Sequence, residues 1–120
     1  MNPVLGLDHC IIAVEDLEGS RQDYEKLGFT CAPLGNHQNR ATANHCLMFP
    51  ETYLELLGVN EPANPDGGLR DKLAARGEGL HRLALGTPDA DAVKAQVEAL
   101  GVRTDGPNDL ARPSKEPEGM

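Results

Sequence analysis

Leu7-Asp8-His9-Cys10-Ile11-Ile12-Ala13-Val14 and, further on, Leu80-His81-Arg82-Leu83-Ala84-Leu85 are the two stretches on which the fold turns. Each is a strand-like apolar run carrying a histidine near its start. Each leads into an amphipathic helical segment and then a Leu-Gly-apolar triplet, Leu27-Gly28-Phe29 in the first case and Leu100-Gly101-Val102 in the second. His9 stands 19 positions before Gly28 and His81 stands 20 before Gly101, so the chain repeats one unit. The first unit also carries Glu55 inside Tyr53-Leu54-Glu55-Leu56-Leu57. Two related modules, each bringing a histidine and the first a carboxylate as well, predict a metal site at their junction.

Working outward, residues 6–14 read as a strand covered on both faces. Alternation puts Leu7, His9, Ile11 and Ala13 on one side and Cys10, Ile12 and Val14 on the other. Asp16 is a good N-cap for a helix whose apolar positions are Leu17, Tyr24 and Leu27, and Gly28 ends it. Phe29 to Leu34 reads as a second strand and Gly35 to Ala43 as a polar loop. His45 to Phe49 and Tyr53 to Val59 form a hairpin around Pro50-Glu51-Thr52. Residues 5–60 are thus a βαβββ module with Ile12, Val14, Tyr24, Leu27, Leu54 and Leu56 as its core. Residues 61–78 are a linker with a short helix over Leu69–Arg76. Residues 79–120 begin a second module: a strand from Gly79, Thr87 as cap, Pro88 in the first helical position, and Val93, Val97 and Leu100 as the buried stripe.

No apolar strand follows Val102, so the expected class is α+β, paired βαβββ modules with the second incomplete. A half-made sheet exposes an edge and an apolar face. A partner such as a second copy of the chain (a homodimer), a native chain continuing past Met120, or a fragment would each answer it. The truncated version of a longer protein is the favoured reading.

Composition narrows the partners. The 120 residues include 19 Asp and Glu against 11 Lys and Arg, a formal net charge of -8. That balance argues against nucleic acid and anionic membrane surfaces, which need clustered cations. No apolar run approaches the ~20 residues that span a bilayer, and nothing near the start resembles a signal peptide. Three cysteines, Cys10, Cys31 and Cys46, give neither a disulfide framework nor a zinc ribbon, and Cys10 and Cys46 read as small core residues. The expected setting is the cytoplasm.

Glu55 is the telling polar residue, since a carboxylate among Tyr53, Leu54, Leu56 and Leu57 is expensive to bury unless paired or bound to a cation. A solvated outer face accounts for it, and so does a cavity wall shared with His9; the histidine favours the cavity. His81 draws its interest from equivalence to His9. Two imidazoles and one carboxylate suit zinc, nickel, iron(II) or manganese, and calcium poorly. The segment Gly35-Asn36-His37-Gln38-Asn39-Arg40 is either a solvated loop or a cavity rim. In the second case His37 and Arg40 meet an oxygenated substrate that Asn44 orients. His45 reads equally as a cavity residue or an exposed strand position.

These residues together resemble a glyoxalase-like domain of the vicinal-oxygen-chelate superfamily, which includes glyoxalase I, extradiol dioxygenases and bleomycin-resistance proteins. The resemblance rests on Leu7-Asp8-His9, Val14-Glu15-Asp16-Leu17, Leu27-Gly28-Phe29, His37, Thr42-Ala43-Asn44, and Phe49-Pro50 followed by Tyr53-Leu54-Glu55-Leu56. It is strong over residues 5 to 60 and looser over 79 to 103. It implies a curved sheet around a divalent metal ion, with His9, Glu55 and His81 on ligand positions and no counterpart for a fourth, carboxylate ligand. It also implies a metal-dependent enzyme, or the N-terminal part of one, with lyase, isomerase or dioxygenase-type chemistry on a small oxygenated molecule. The alternative is a non-catalytic small-molecule-binding or resistance protein of the same fold.

Overall fold

Three apolar runs separated by turn chemistry become the middle of a five-stranded sheet. The computed structural model describes residues 4–106. Its elements are β1 (Gly6–Ala13), α1 (Leu17–Lys26), β2 (Gly35–Asn36), β3 (Thr42–Met48), β4 (Tyr53–Val59), α2 (Leu69–Arg76), β5 (Gly79–Gly86) and α3 (Ala90–Ala99). The strand order is β2-β3-β4-β1-β5. β3 and β4 form the expected antiparallel hairpin, β1 lies parallel to β4, and β5 lies antiparallel to β1. The expected α+β class is what the chain adopts.

Helix α1 forms where its signals place it. The Asp16 side chain accepts from the Gly19 amide at 3.0 Å, satisfying a donor that has no partner inside the helix. Along its outer surface Arg21 bridges Glu18 and Glu25. The helix packs on one side of the sheet over Val14, Leu17, Ala43, Leu47 and Leu56, with Ile12, Tyr24, Cys31 and Leu54 around them. Gly58 permits the close approach: a Cβ there would lie 3.0 Å from Leu17 Cβ. Helix α2 covers one end of the opposite side, where Ala13, Leu57, Leu69 and Leu73 cluster with Ile11 and Val59. Its start lacks a side chain at the cap itself, and Asp66 serves instead by accepting from the amides of Gly68 and Arg70. Arg70 binds the same carboxylate and holds its pKa down to about 2.

Several expectations are corrected. Gly35 to Ala43 is not loop throughout: it supplies β2 and the first two residues of β3, which runs Thr42–Met48 rather than His45–Phe49. Leu27 is 74% exposed, because α1 ends at Lys26 and Leu27 becomes its cap. Phe29 to Leu34 is no strand; Pro33 cannot donate to a ladder, so pairing there is limited to a bridge between Cys31 and Leu47, and β2 comes later at Gly35–Asn36. Helix α3 is capped by Asp89, which accepts from the Ala92 amide at 3.1 Å, while Thr87 braces the approach by accepting from the Asp89 amide. Its apolar stripe is not buried. Val93 and Val97 are half-buried, Leu100 is 83% exposed, and Leu80, Leu83 and Leu85 of β5 are all exposed, since no further strand among the described residues covers them. Residues 107–120 of the expected second module lie outside the described residues. No helix is long and apolar enough to cross a membrane among the described residues.

Candidate metal and proton-transfer site

Strand register decides which side chains meet. Parallel pairing sets His9 against Tyr53 and Ile11 against Glu55, and antiparallel pairing sets Cys46 against Glu55 and Asn44 against Leu57. Residues two apart on a strand share a face. His9, Glu55 and Asn44 therefore converge on the side that α1 does not cover.

Glu55 is the hub. It is 7% exposed. Its Oε1 lies 3.2 Å from His9 Nε2, and its Oε2 accepts from Asn44 Nδ2 at 2.9 Å. The His37 ring stands beside them, with Nε2 3.9 Å from Glu55 Oε2 and 3.5 Å from Asn44 Nδ2. His37 Nδ1 meets Thr42 Oγ1 at 2.7 Å. At the other end His9 Nδ1 lies 2.7 Å from Asp8 Oδ2, and the His9 ring stacks on Tyr53 with centroids 4.3 Å apart. Asn44 satisfies one oxygen of this deeply placed carboxylate, and His9 Nε2 stands against the other. Asp8, Tyr53 and Thr42 are members that sequence reasoning missed. Asp8 was legible as the carboxylate adjoining His9; the other two emerge only from register.

His81 sits at a slip in the β1–β5 ladder. Ile11 pairs with Arg82 and Ile12 with Leu80, so His81 is the extra residue of a bulge, a device that re-aims a side chain. Its carbonyl accepts from Lys72 Nζ at 3.2 Å. Its Nδ1 is buried without a hydrogen-bond partner among the described residues. Burial, then the nearby Lys72 and Arg82 charges, pushes its pKa below the ordinary imidazole value, while the Glu55 charge acts in the opposite sense. His81 thus lies within the electrostatic reach of Glu55. A second slip, at Asp8, breaks the alternation expected between Leu7 and His9.

The remaining candidates divide. His37 and Asn44 join the network; Arg40 is exposed, with its guanidinium beside Gly67, and takes no part in it among the described residues. His45 is neither a cavity residue nor an exposed one. It is buried on the α1 side and its Nδ1 meets the Ala32 carbonyl at 2.8 Å. An open cleft lies between Val14 and α2, away from these groups. Another, about 430 Å³, is lined by Asp8 with Leu5, Leu7, Glu51, Thr52 and Gly86 and adjoins the network through Asp8.

The donor chemistry fits a divalent ion in part of its shell. Donors bound at about 2.0–2.2 Å in tetrahedral geometry stand about 3.3 Å apart, close to the 3.2 Å between His9 Nε2 and Glu55 Oε1. The Asp8 carboxylate on His9 Nδ1 is the outer partner that metal-bound histidines ordinarily have. His81 adds a ring nitrogen that has no hydrogen-bond partner among the described residues. No group of three or more His, Cys, Asp and Glu side chains is closed up for a metal among the described residues.

A mixed sheet, one face packed by a helix and the other carrying an imidazole–carboxylate network, defines a fold of the vicinal-oxygen-chelate class. The chain belongs to the glyoxalase-like domain family, whose model matches residues 7–118. Among solved structures it is similar to methylmalonyl-CoA epimerase from Mycobacterium tuberculosis, at 26% identity and a TM-score of 0.72 over 86% of this chain and 69% of that one. It is similar also to a methylmalonyl-CoA epimerase in complex with methylmalonyl-CoA and NH4+, at 28% identity and a TM-score of 0.71, covering 83% of this chain and 72% of that one. A Streptomyces coelicolor methylmalonyl-CoA epimerase variant bound to 2-nitronate-propionyl-CoA matches with the same identity, score and coverage. No curated protein matches the sequence significantly.

Proposed function

We propose that the chain is an isomerase of small carbonyl compounds, or the N-terminal part of one, with a divalent cation held by His9 Nε2, Glu55 and His81. The observation that carries the reading is the buried Glu55 carboxylate, fixed on one oxygen by Asn44 and facing His9 on the other. The structural neighbours support an isomerase over the dioxygenase alternative, since an epimerase removes and returns a proton at one carbon. The bound ion would supply Lewis-acid stabilisation of negative charge developing on a carbonyl oxygen.

The chain's own residues do the rest. Asp8 holds the His9 ring through Nδ1, and Tyr53 holds it by stacking, so that Nε2 points at Glu55. Asn44 fixes the Glu55 carboxylate against rotation. Leu57, Leu69 and Leu73 close one end of this face to water. Substrate enters from the cleft bordered by Asp8 and Thr52. The competing reading, a non-catalytic small-molecule binder, is favoured by the lack of a closed three-donor group among the described residues.

Metal titration separates the two. Thermal unfolding is followed with zinc, nickel, iron(II) and manganese, and bound metal is counted. A ligand present at 100 times its Kd stabilises by about 2.7 kcal/mol. The isomerase reading expects such a gain from at least one ion, lost in His9→Ala and Glu55→Gln and retained in His45→Ala. A wild-type chain that gains nothing from any of the four ions overturns it in favour of the binder.

A further inference from the structure

The sheet has two edges, and the chain treats them differently. The β2 edge is two residues long, Gly35–Asn36. The β5 edge runs eight residues, Gly79–Gly86, and no strand among the described residues pairs with its outer side. A very short strand, a lysine or a proline is the usual guard on an edge, and β5 has none of them. Its bulge at His81 blunts one end only. Lys72 holds the His81 carbonyl there, and Arg82 to Gly86 continue as one unbroken stretch.

The leucines of this strand all face one way. Directly opposed residues share a side of the sheet, so Leu80 against Ile12 and Leu83 against Cys10 both lie on the α1 side. Leu85, two beyond Leu83, joins them. Leu80 reaches that side from three residues away because the bulge takes up one residue. The stripe is therefore symmetric about Leu83, with a leucine at the next same-side position in each direction. Helix α1 packs over β3 and β4 instead, and α3 has no buried residue, so the three leucines stay 58–64% exposed.

We infer that the β5 edge is a self-association surface, paired antiparallel with β5 of a second copy about a twofold axis through Leu83. Such an axis keeps the two α1 sides together. Leu83 then stands against the partner's Leu83, and Leu85 against the partner's Leu80. Arg82, on the side that carries Glu55, stands against the partner's Ala84. Charge favours this edge as the meeting place of two chains that each carry a net charge of -8, because Gly79 to Pro88 holds no Asp or Glu. The chain's own last residues are poorer occupants. Pro107, Pro113 and Pro117 interrupt them, each lacking the donor that a ladder needs, and Leu110 is their one leucine. The pairing uses each β5 once and leaves only the two β2 edges, so assembly stops at two. An interface this small dissociates on dilution.

Sedimentation equilibrium of the full chain, from micromolar to millimolar, should show a reversible step from 12.9 kDa to twice that mass and no further. Leu83→Lys sets two ammonium groups face to face and withdraws two leucines, and should weaken association by about 100-fold or more. Circular dichroism should show its fold intact, because Leu83 is 59% exposed in the single chain. Two further readings fix the register. Under mild oxidation Leu83→Cys should give a disulfide-linked dimer, while Arg82→Cys, on the other side and off the axis, should not exceed the wild-type yield. Hydrogen exchange of amides between Arg82 and Gly86 should slow as the concentration rises. A chain that stays monomeric at millimolar concentration overturns the inference, and protected β5 amides in that monomer would assign the edge to the chain's own residues. Open-ended assembly, a dimer indifferent to Leu83→Lys, or equal cross-linking at the two cysteines overturns it as well.

Discussion

Replacing Leu56 by Ala tests the placement on which the whole site depends. Leu56 is fully buried, at 0% exposure, between Ile12 on β1 and His45 on β3, beneath α1. Its neighbour Glu55 must then face the opposite side. The substitution removes three carbons, worth about 2.4 kcal/mol at roughly 0.8 kcal/mol each. A cavity that the rigid sheet only partly closes brings the expected loss to about 3–4 kcal/mol. Leu27→Ala is the matched control, since the same change at a 74% exposed position should cost less than about 0.5 kcal/mol. Urea unfolding of both variants at neutral pH, with equal m-values, supplies the comparison. A Leu56→Ala loss below about 1 kcal/mol, or a Leu27→Ala loss approaching it, would mean that α1 packs on the other face. Glu55 would then point into the core and the network would not exist.

Three further outcomes follow from the geometry. Asn44→Leu leaves Glu55 Oε2 buried without its 2.9 Å donor and should cost about 1–3 kcal/mol in urea, whereas a neutral result would show the carboxylate turned to water. His81 has a folded pKa below the free value of 6.5 because of its burial and the Lys72 charge, so the unfolded chain takes up this proton first. Its contribution is complete above about pH 6.5 and falls as the pH drops through the folded value; metal-free His81→Gln should therefore lose less stability than wild type between pH 7.5 and 5.5, and parallel losses would contradict the assignment. Asp89→Ala removes the α3 cap at a cost of about 1 kcal/mol, seen in hydrogen exchange as faster opening of α3 alone, because no residue of that helix is buried; slower exchange throughout the sheet would refute its independence.

Periodicity made most of the fold legible, and the exceptions have local causes. β4 begins and ends where Tyr53–Val59 was read, and α2 falls on Leu69–Arg76. Leu27 had the spacing of a core residue, but spacing holds only while the helix lasts, and the helix ends one residue earlier. Phe29 to Leu34 had the composition of a strand, and Pro33 removed a donor from the middle of it. Val93, Val97 and Leu100 show the limit in another way. An apolar stripe predicts that a face seeks cover, and burial also requires a neighbour, which the described residues do not provide.

The site was harder to read because its geometry is set between strands. His9 and Glu55 were drawn together by their types, yet what brings them to 3.2 Å is the parallel β1–β4 pairing, two residues out of register with a direct opposition. Bulges at Asp8 and His81 then break the alternation on which any facing argument depends. The slip at Asp8 brings its carboxylate to His9 Nδ1, and the slip at His81 frees that side chain from strict alternation. Each irregularity gives up a regular ladder position beside a candidate ligand. Such losses persist when the displaced side chain has work to do. The same reasoning connects His37 to Glu55 through Asn44, a residue whose two N–H groups face one acceptor on each side. The orientation of the Glu55 carboxylate and that of the His37 ring therefore both depend on Asn44. Loss of Asn44 should therefore weaken metal binding and misdirect the His37 ring together, whereas loss of Thr42 should disturb the ring alone.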